Sequence, residues 1–412
     1  MPVRQTSERE FIALFGFLTS LTALSIDAVI AGMPLIAREL SNGGAAPDVH
    51  LIISALILGM AVGEPVFGPL SDARGRKFAI LLGIAIFMAG AALAITAQNL
   101  TTLLLARFIQ GVGVAGPKIG SRAAIRDRYE GASMARAMSI IMTVLILVPM
   151  LAPALGELVM LAGSWRTIFM AYCVLACIAA LWLCLRQPEP LPTHGRRPFR
   201  WGQTLQTALR IAINPRVMPA TIAAGLMFGC LTSYYGIAAS IFQDIYAVGG
   251  YFTTLFALLA LGMGIATLTN SRLVMRFGMY HLSRLALIGL VACGTLLLGV
   301  SSLSGGAPSL MVFMLLFSGS LFAIGVLFGN LGAMAMEPLG AVAGVGASVI
   351  ASVSSAVAVV VSMTTGHFYN QSLIPLAICL STCALLSLAL LHRAQNSELV
   401  PVTAPGSHHE AG

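Results

Sequence analysis

Charge is scarce in this chain. Acidic and basic residues make up 9% of its 412 positions, apolar types make up 58%, and the mean hydropathy is +0.91, whereas soluble domains carry about 25% charged residues. That excludes a water-soluble globule, which would have too little polar surface to present. Cysteine is sparse and odd in number. All seven (Cys173, Cys177, Cys184, Cys230, Cys293, Cys379 and Cys383) lie in apolar stretches with no C-x-x-C pair, so a disulfide framework is not expected. Small apolar packing is the reading for each, including the Cys173/Cys177 and Cys379/Cys383 pairs that share helix faces. No histidine falls at the centre of an apolar stretch, so no metal site is expected. The glycines around Lys118 lack the adjacent G-K-[ST] of a phosphate loop, and there is no nucleophile elbow, zinc helix or dinucleotide fingerprint. Neither enzyme chemistry nor a cofactor is expected.

What fills the chain instead is a series of twelve apolar stretches, near 11–36, 51–70, 78–97, 102–124, 136–159, 165–186, 217–241, 252–271, 283–302, 309–330, 342–364 and 373–391. Each approaches or exceeds the roughly 20 residues a bilayer-spanning helix needs. An even number of spans puts both termini on one side. With that side inside, nineteen Lys and Arg fall in inner segments and only Arg38 and Arg166 in outer ones. This is the positive-inside bias that orients a membrane protein, and it predicts cytoplasmic termini. The formal charge of +8 then reflects topology and anionic lipid rather than nucleic acid. The first apolar stretch runs too long for a secretory signal and is read as an uncleaved helix.

One long polar interruption, 187–216, carries Pro188, Pro190, Pro192, Pro198 and Pro215. It divides the chain into an expected six-helix bundle over 1–186, a cytoplasmic linker loop over 187–216, a second bundle over 217–393 and a polar tail over 394–412. A faint repeat supports a duplicated unit: the basic, glycine-containing run Gly68 to Lys77 follows span two, and a similar run from Asn270 to Gly278 follows span eight. Small-xxx-small pairs at Gly59/Gly63, Gly116/Gly120, Gly325/Gly329 and Gly340/Gly344 predict close helix approach.

Several motifs together carry a resemblance. Gly68, Asp72, Arg74, Gly75, Arg76 and Lys77 follow the pattern G-x-L-x-D-R-x-G-R-K, and Asp27 is followed by Pro34. Arg107, Gln110 and Gly111 give R-x-x-Q-G, continued by Arg126 and Asp127. Pro153 and Gly156, with Pro149 upstream, approach G-P-x-x-G-G. The chain resembles the major facilitator superfamily and, within it, the bicyclomycin-resistance (Bcr/CflA) family of drug:proton antiporters. It departs from the pattern at Ala73, Ala152 and Glu157, and in carrying Glu64 and Lys118 inside spans. The resemblance implies an all-α membrane fold of twelve transmembrane helices in two pseudo-symmetric six-helix bundles. It also implies a conformational latch formed by Gly68, Asp72, Arg74, Gly75, Arg76 and Lys77, whose arginines meet acids such as Asp127, with Arg126 beside it. The antiporter motif would be Pro149, Pro153 and Gly156.

An ionisable group at mid-membrane costs at least about 2.5–3.5 kcal/mol, so each is a functional candidate. Asp27 is expected to carry the coupled proton or recognise a cation. The alternative is a protonated helix–helix hydrogen-bond former. Arg107 needs a partner or a watery cavity, and either links proton binding to conformation or locks spans together. Glu64 and Lys118 lie at equal depth, about 12–14 Å inside the boundary, where a salt bridge is possible. Proton coupling is thus assigned to Asp27, Glu64 and Arg107, and a substrate cavity to Asp27, Arg107, Gln110, Lys118, Tyr234 and Asn330. The expected function is export of small amphipathic compounds across the bacterial inner membrane in exchange for protons, by a monomer whose partners are substrate, protons and lipid. Two alternatives stay open: a dedicated metabolite or siderophore-like carrier, and a non-transporting receptor or assembly partner.

Overall fold

The computed structural model describes residues 7–41, 48–129, 131–191 and 201–396. Among them there is no β-strand. Eleven helical segments are long and apolar enough to cross a bilayer, and α6 (Gly131–Met160) supplies a twelfth, with Leu147–Met160 its described apolar part. The chain divides into two compact units, 1–199 and 200–412.

In the first unit the helices are α1 (Glu8–Asp27), α2 (Met33–Leu40), α3 (Leu51–Arg74), α4 (Arg76–Ile95), α5 (Leu100–Arg128), α6 and α7 (Arg166–Arg186). Span one is not a plain α-helix. Pro34 has no N–H to offer the Ile30 carbonyl, and the chain tightens into a 3-10 turn over Ala28–Gly32, where the Met33 N–H takes that carbonyl instead. The second unit holds α8 (Trp201–Ala212), α9 (Val217–Ser240), α10 (Phe252–Phe277), α11 (Met279–Leu303), α12 (Leu310–Met336), α13 (Ala343–His367) and α14 (Ile374–Asn396). The amphipathic α8 lies within the stretch read as a linker loop. Ile211 is buried while Leu205 and Leu209 on the same helix stay exposed, and α8 packs on α13 and α9. Residues 192–200 of that stretch and the tail from 397 lie outside the described residues.

The two units repeat one packing scheme. In the first, α5 packs on α3 and α4, α1 on α5, α6 and α7, and α4 on α7. In the second, α12 packs on α10 and α11, α9 on α12, α13 and α14, and α11 on α14. The α3–α4 and α10–α11 joints are each a single glycine at positive φ, Gly75 at 104° and Gly278 at 78°, where a Cβ would be strained. The faint sequence repeat therefore marks a repeated structural corner.

Close helix approach explains the glycines. A Cβ added at Gly59 would lie 2.0 Å from the Phe108 carbonyl oxygen, and one at Gly111 would lie 1.9 Å from that of Leu56, so α3 and α5 touch backbone to backbone. Gly63, Gly116 and Gly325 likewise face backbone oxygens within 2.8 Å of the missing Cβ. The surroundings of Gly340 lie outside the described residues. The outer faces are apolar and uncovered, with Leu181 60%, Leu315 73% and Met311 84% exposed, a surface suited to acyl chains rather than water.

Candidate functional site

Arg107 on α5 is completely buried. Its Nη2 donates to the Ser25 carbonyl on α1 at 2.6 Å, its Nη1 to Gln110 Oε1 at 2.9 Å, and its Nε to the Ile52 carbonyl on α3 at 3.4 Å. Phe169 on α7 lies with its ring 5.8 Å from Cζ. Among the described residues this permanent cation is thus held by carbonyl dipoles, an amide and a π-face rather than by a carboxylate. Arg107 turns toward span one and finds its carbonyl partners there and on α3. Gln110, also fully buried, spends its Oε1 on Arg107 and leaves Nε2 without a partner among the described residues.

Asp27, two residues beyond Ser25, is 2% exposed, and its Oδ1 meets no hydrogen-bond donor among the described residues. It closes α1 where the helix becomes 3-10. Here the chain is gripped from three sides. Tyr172 Oη on α7 donates to the Leu24 carbonyl at 2.9 Å and Arg107 holds Ser25. From α6, Gly156 comes so close that a Cβ there would lie 2.3 Å from the Ala28 carbonyl oxygen. Pro153, buried, and Pro149, half-buried, stand one and two turns before Gly156. The motif glycine of α6 and the acid of α1 are therefore neighbours.

Glu64 on α3 and Lys118 on α5 form an ion pair, Nζ to Oε1 at 2.5 Å, with side chains 0% and 16% exposed. Equal depth placed them within reach, and the glycine-lined α3–α5 seam brings them together.

At the Gly75 corner a charge cluster gathers. Arg76, 3% exposed, reaches Asp127 at 2.7 Å through Nε, and Asp72 and Ser71 through Nη1. Glu189 completes the cluster: its carboxylate accepts the Arg76 and Lys77 backbone N–H groups at 2.7 and 3.1 Å, capping the start of α4 from 113 positions away along the chain. Lys77 Nζ donates to the Cys184 and Gln187 carbonyls at 3.0 and 2.9 Å. Arg74 stands over the Phe78 ring, Gly68 is buried within α3, and Arg126 is exposed. Glu189 has no motif of its own in the sequence. The only signal is an acid closely following an apolar span.

In the second unit Tyr234 on α9 is buried against Phe256 and Phe317, with ring centroids 5.6 and 4.5 Å away and its hydroxyl unpartnered among the described residues. Asn330 on α12 is engaged with Asn270 on α10 through two reciprocal amide hydrogen bonds of 2.8 and 3.0 Å. Its polar capacity is therefore turned toward α10, within the unit.

Comparison with known proteins places this architecture. The profile of the Major Facilitator Superfamily matches residues 15–395. The chain is 30% identical over 338 residues to the uncharacterized MFS-type transporter YdgK of Bacillus subtilis, covering 80% of this chain and 82% of the relative. It is 27% identical to the bicyclomycin resistance protein homolog of Haemophilus influenzae, covering 93% and 96%, and 27% identical to the multidrug resistance protein MdtL of Shewanella oneidensis, covering 93% and 95%. Among solved structures, a D-xylose-proton symporter superposes with a TM-score of 0.74 at 15% identity over 96% of this chain and 99% of the other. The human organic anion transporter MFSD10 superposes with 0.73 at 18% over 95% and 100%. The protein is a multi-pass membrane transporter of twelve-helix fold rather than an enzyme; it belongs to the major facilitator superfamily.

Proposed function

We propose that this transporter exports small amphipathic compounds across the bacterial inner membrane in exchange for protons, with Asp27 as the proton carrier. One observation carries the reading: a carboxyl group buried inside a span, with one oxygen meeting no donor among the described residues, at the point where α1 changes helix type. An ionised carboxylate held that way is costly in apolar surroundings, so its charge state and the local conformation are bound together. Arg107 and Tyr172 hold the two carbonyls just before it, and Gly156 abuts the residue just after it. A change at Asp27 is thereby transmitted to α5, α6 and α7. The names of the bicyclomycin-resistance and MdtL relatives support the substrate class.

The termini and the 187–216 segment are cytoplasmic in this reading, six spans lie on either side of that segment, and the chain acts as a monomer. The Asp72–Arg76–Asp127 cluster is the latch, formed in one conformation and broken in the other. One proton crossing 100 mV supplies about 2.3 kcal/mol, and a pH difference adds to it. A carrier that recognises one charged metabolite through Glu64 and Lys118 is the weaker reading, because those two charges already satisfy each other.

The test is purified protein in liposomes under an imposed pH gradient, challenged with a panel of cationic, neutral and anionic drugs. Substrate-dependent proton movement that disappears in Asp27→Asn supports the proposal. Undiminished proton-driven transport by Asp27→Asn would remove Asp27 as carrier, and transport indifferent to the gradient would remove antiport altogether.

A further inference from the structure

The second unit contains a cluster that the transport reading does not use. Cys230 lies midway along α9, and Cys379 and Cys383 stand one turn apart on one face of α14. Their three sulfurs lie within 4.8 Å of one another, with Cys230 and Cys379 at 3.9 Å. The residues are 1%, 7% and 5% exposed. No histidine or carboxylate joins the group among the described residues; the side chains around it offer only hydroxyls, that of Ser233 3.9 Å from the Cys379 sulfur, with Thr365 beside Cys379 and Thr382 beside Cys383.

We propose that Cys230, Cys379 and Cys383 form a three-thiolate binding site for a trivalent metalloid, arsenic(III) or antimony(III). Softness alone admits several ions, since thiolates favour copper(I), zinc and their thiophilic neighbours. Charge then selects among them. The site lies inside a membrane span, where a net charge is expensive. Three thiolates around copper(I) carry a net −2. Around zinc they carry −1, and zinc also asks for a fourth ligand. Around a trivalent centre the charge is zero.

The neutral trihydroxide reaches an apolar site without shedding an ionic hydration shell. Each of its three element–oxygen bonds is replaced by an element–sulfur bond, and each thiol proton leaves with a hydroxide as water. Nothing is oxidised or reduced. Rotation of the cysteine side chains draws the sulfurs onto the centre, and the product ties α9 to α14, the first and last spans of the unit.

The experiment uses the full-length reduced protein in detergent, titrated with sodium arsenite and read by native intact mass and thermal midpoint. The expected result is one adduct per chain with the mass of one arsenic less three hydrogens, together with a raised midpoint. Cys230→Ala, a small apolar replacement, is expected to weaken binding at least a hundredfold. Cys293→Ala, which also removes one thiol, leaves it unchanged. A variant lacking Cys173, Cys177, Cys184 and Cys293 together keeps the adduct. Absence of any adduct in the wild type, an adduct that retains a hydroxyl and so uses only two thiols, or binding that survives Cys230→Ala would each overturn the assignment.

Discussion

A single atom such as Asp27 Oδ1 illustrates how a membrane interior sharpens the meaning of one side chain, because a buried carboxylate oxygen that meets no protein donor among the described residues is costly in its ionised form. Asn fills the same volume but cannot release a proton, so Asp27→Asn is expected to leave the thermal midpoint near that of the wild type while proton-coupled transport falls to background. Glu64→Gln leaves the Lys118 ammonium facing a neutral amide and should cost about 3 kcal/mol of stability. The double change Glu64→Gln with Lys118→Met should recover much of that, and thermal midpoints in detergent for the four proteins of the cycle measure the coupling. Additive midpoints would show that the pair contributes nothing.

Asp27, Arg107, Glu64 and Lys118 were legible in the sequence because charge within an apolar stretch is rare. Glu189 and Cys230 were not. Their significance lies in partners more than a hundred positions away, at Arg76 and Cys379, and neither hydropathy nor periodicity carries that information.

At the scale of the element, span positions could be read because a bilayer imposes a length on apolar runs. Span four, expected at 102–124, is found as Leu100–Arg128, and span seven, expected at 217–241, begins at Val217 as expected. Hydropathy did not disclose the 3-10 turn after Asp27, since its residues are as apolar as those around them, nor α8, whose one-sided burial is diluted by polar neighbours. The glycine pattern pointed to close packing without naming the partner helix.

Packing now makes opposite predictions for two glycines. Gly59→Ala drives a methyl group into the Phe108 carbonyl and should cost about 1–3 kcal/mol or more. Gly289→Ala has open space within 4 Å and should gain up to about 1 kcal/mol from helix propensity. Midpoints shifting the same way in both variants would contradict the seam. Glu189→Ala, which removes the remote cap of α4, should cost about 1 kcal/mol and raise hydrogen exchange at the Arg76 and Lys77 amides.

For the molecule as a whole, the repeated packing scheme and the paired Gly75 and Gly278 corners indicate that one six-helix plan was used twice. The two corners are filled differently: among the described residues nothing lies within 4 Å of the missing Cβ at Gly278, whereas the Gly75 corner is filled by Glu189. Cysteines introduced at either terminus are expected to react with membrane-impermeant maleimide only after the cells are opened, and labelling in intact cells would reverse the assigned orientation.

The Glu189 contact also sets a boundary for protein engineering. A fusion partner, epitope or protease site placed between Arg186 and Glu189 would pull the acid away from α4 and loosen the first unit's basic corner. The same insertion made after Leu191 leaves the cap in place. For anyone cutting or splicing the gene, the contacts of the first unit therefore reach past the end of its last helix at least as far as this carboxylate.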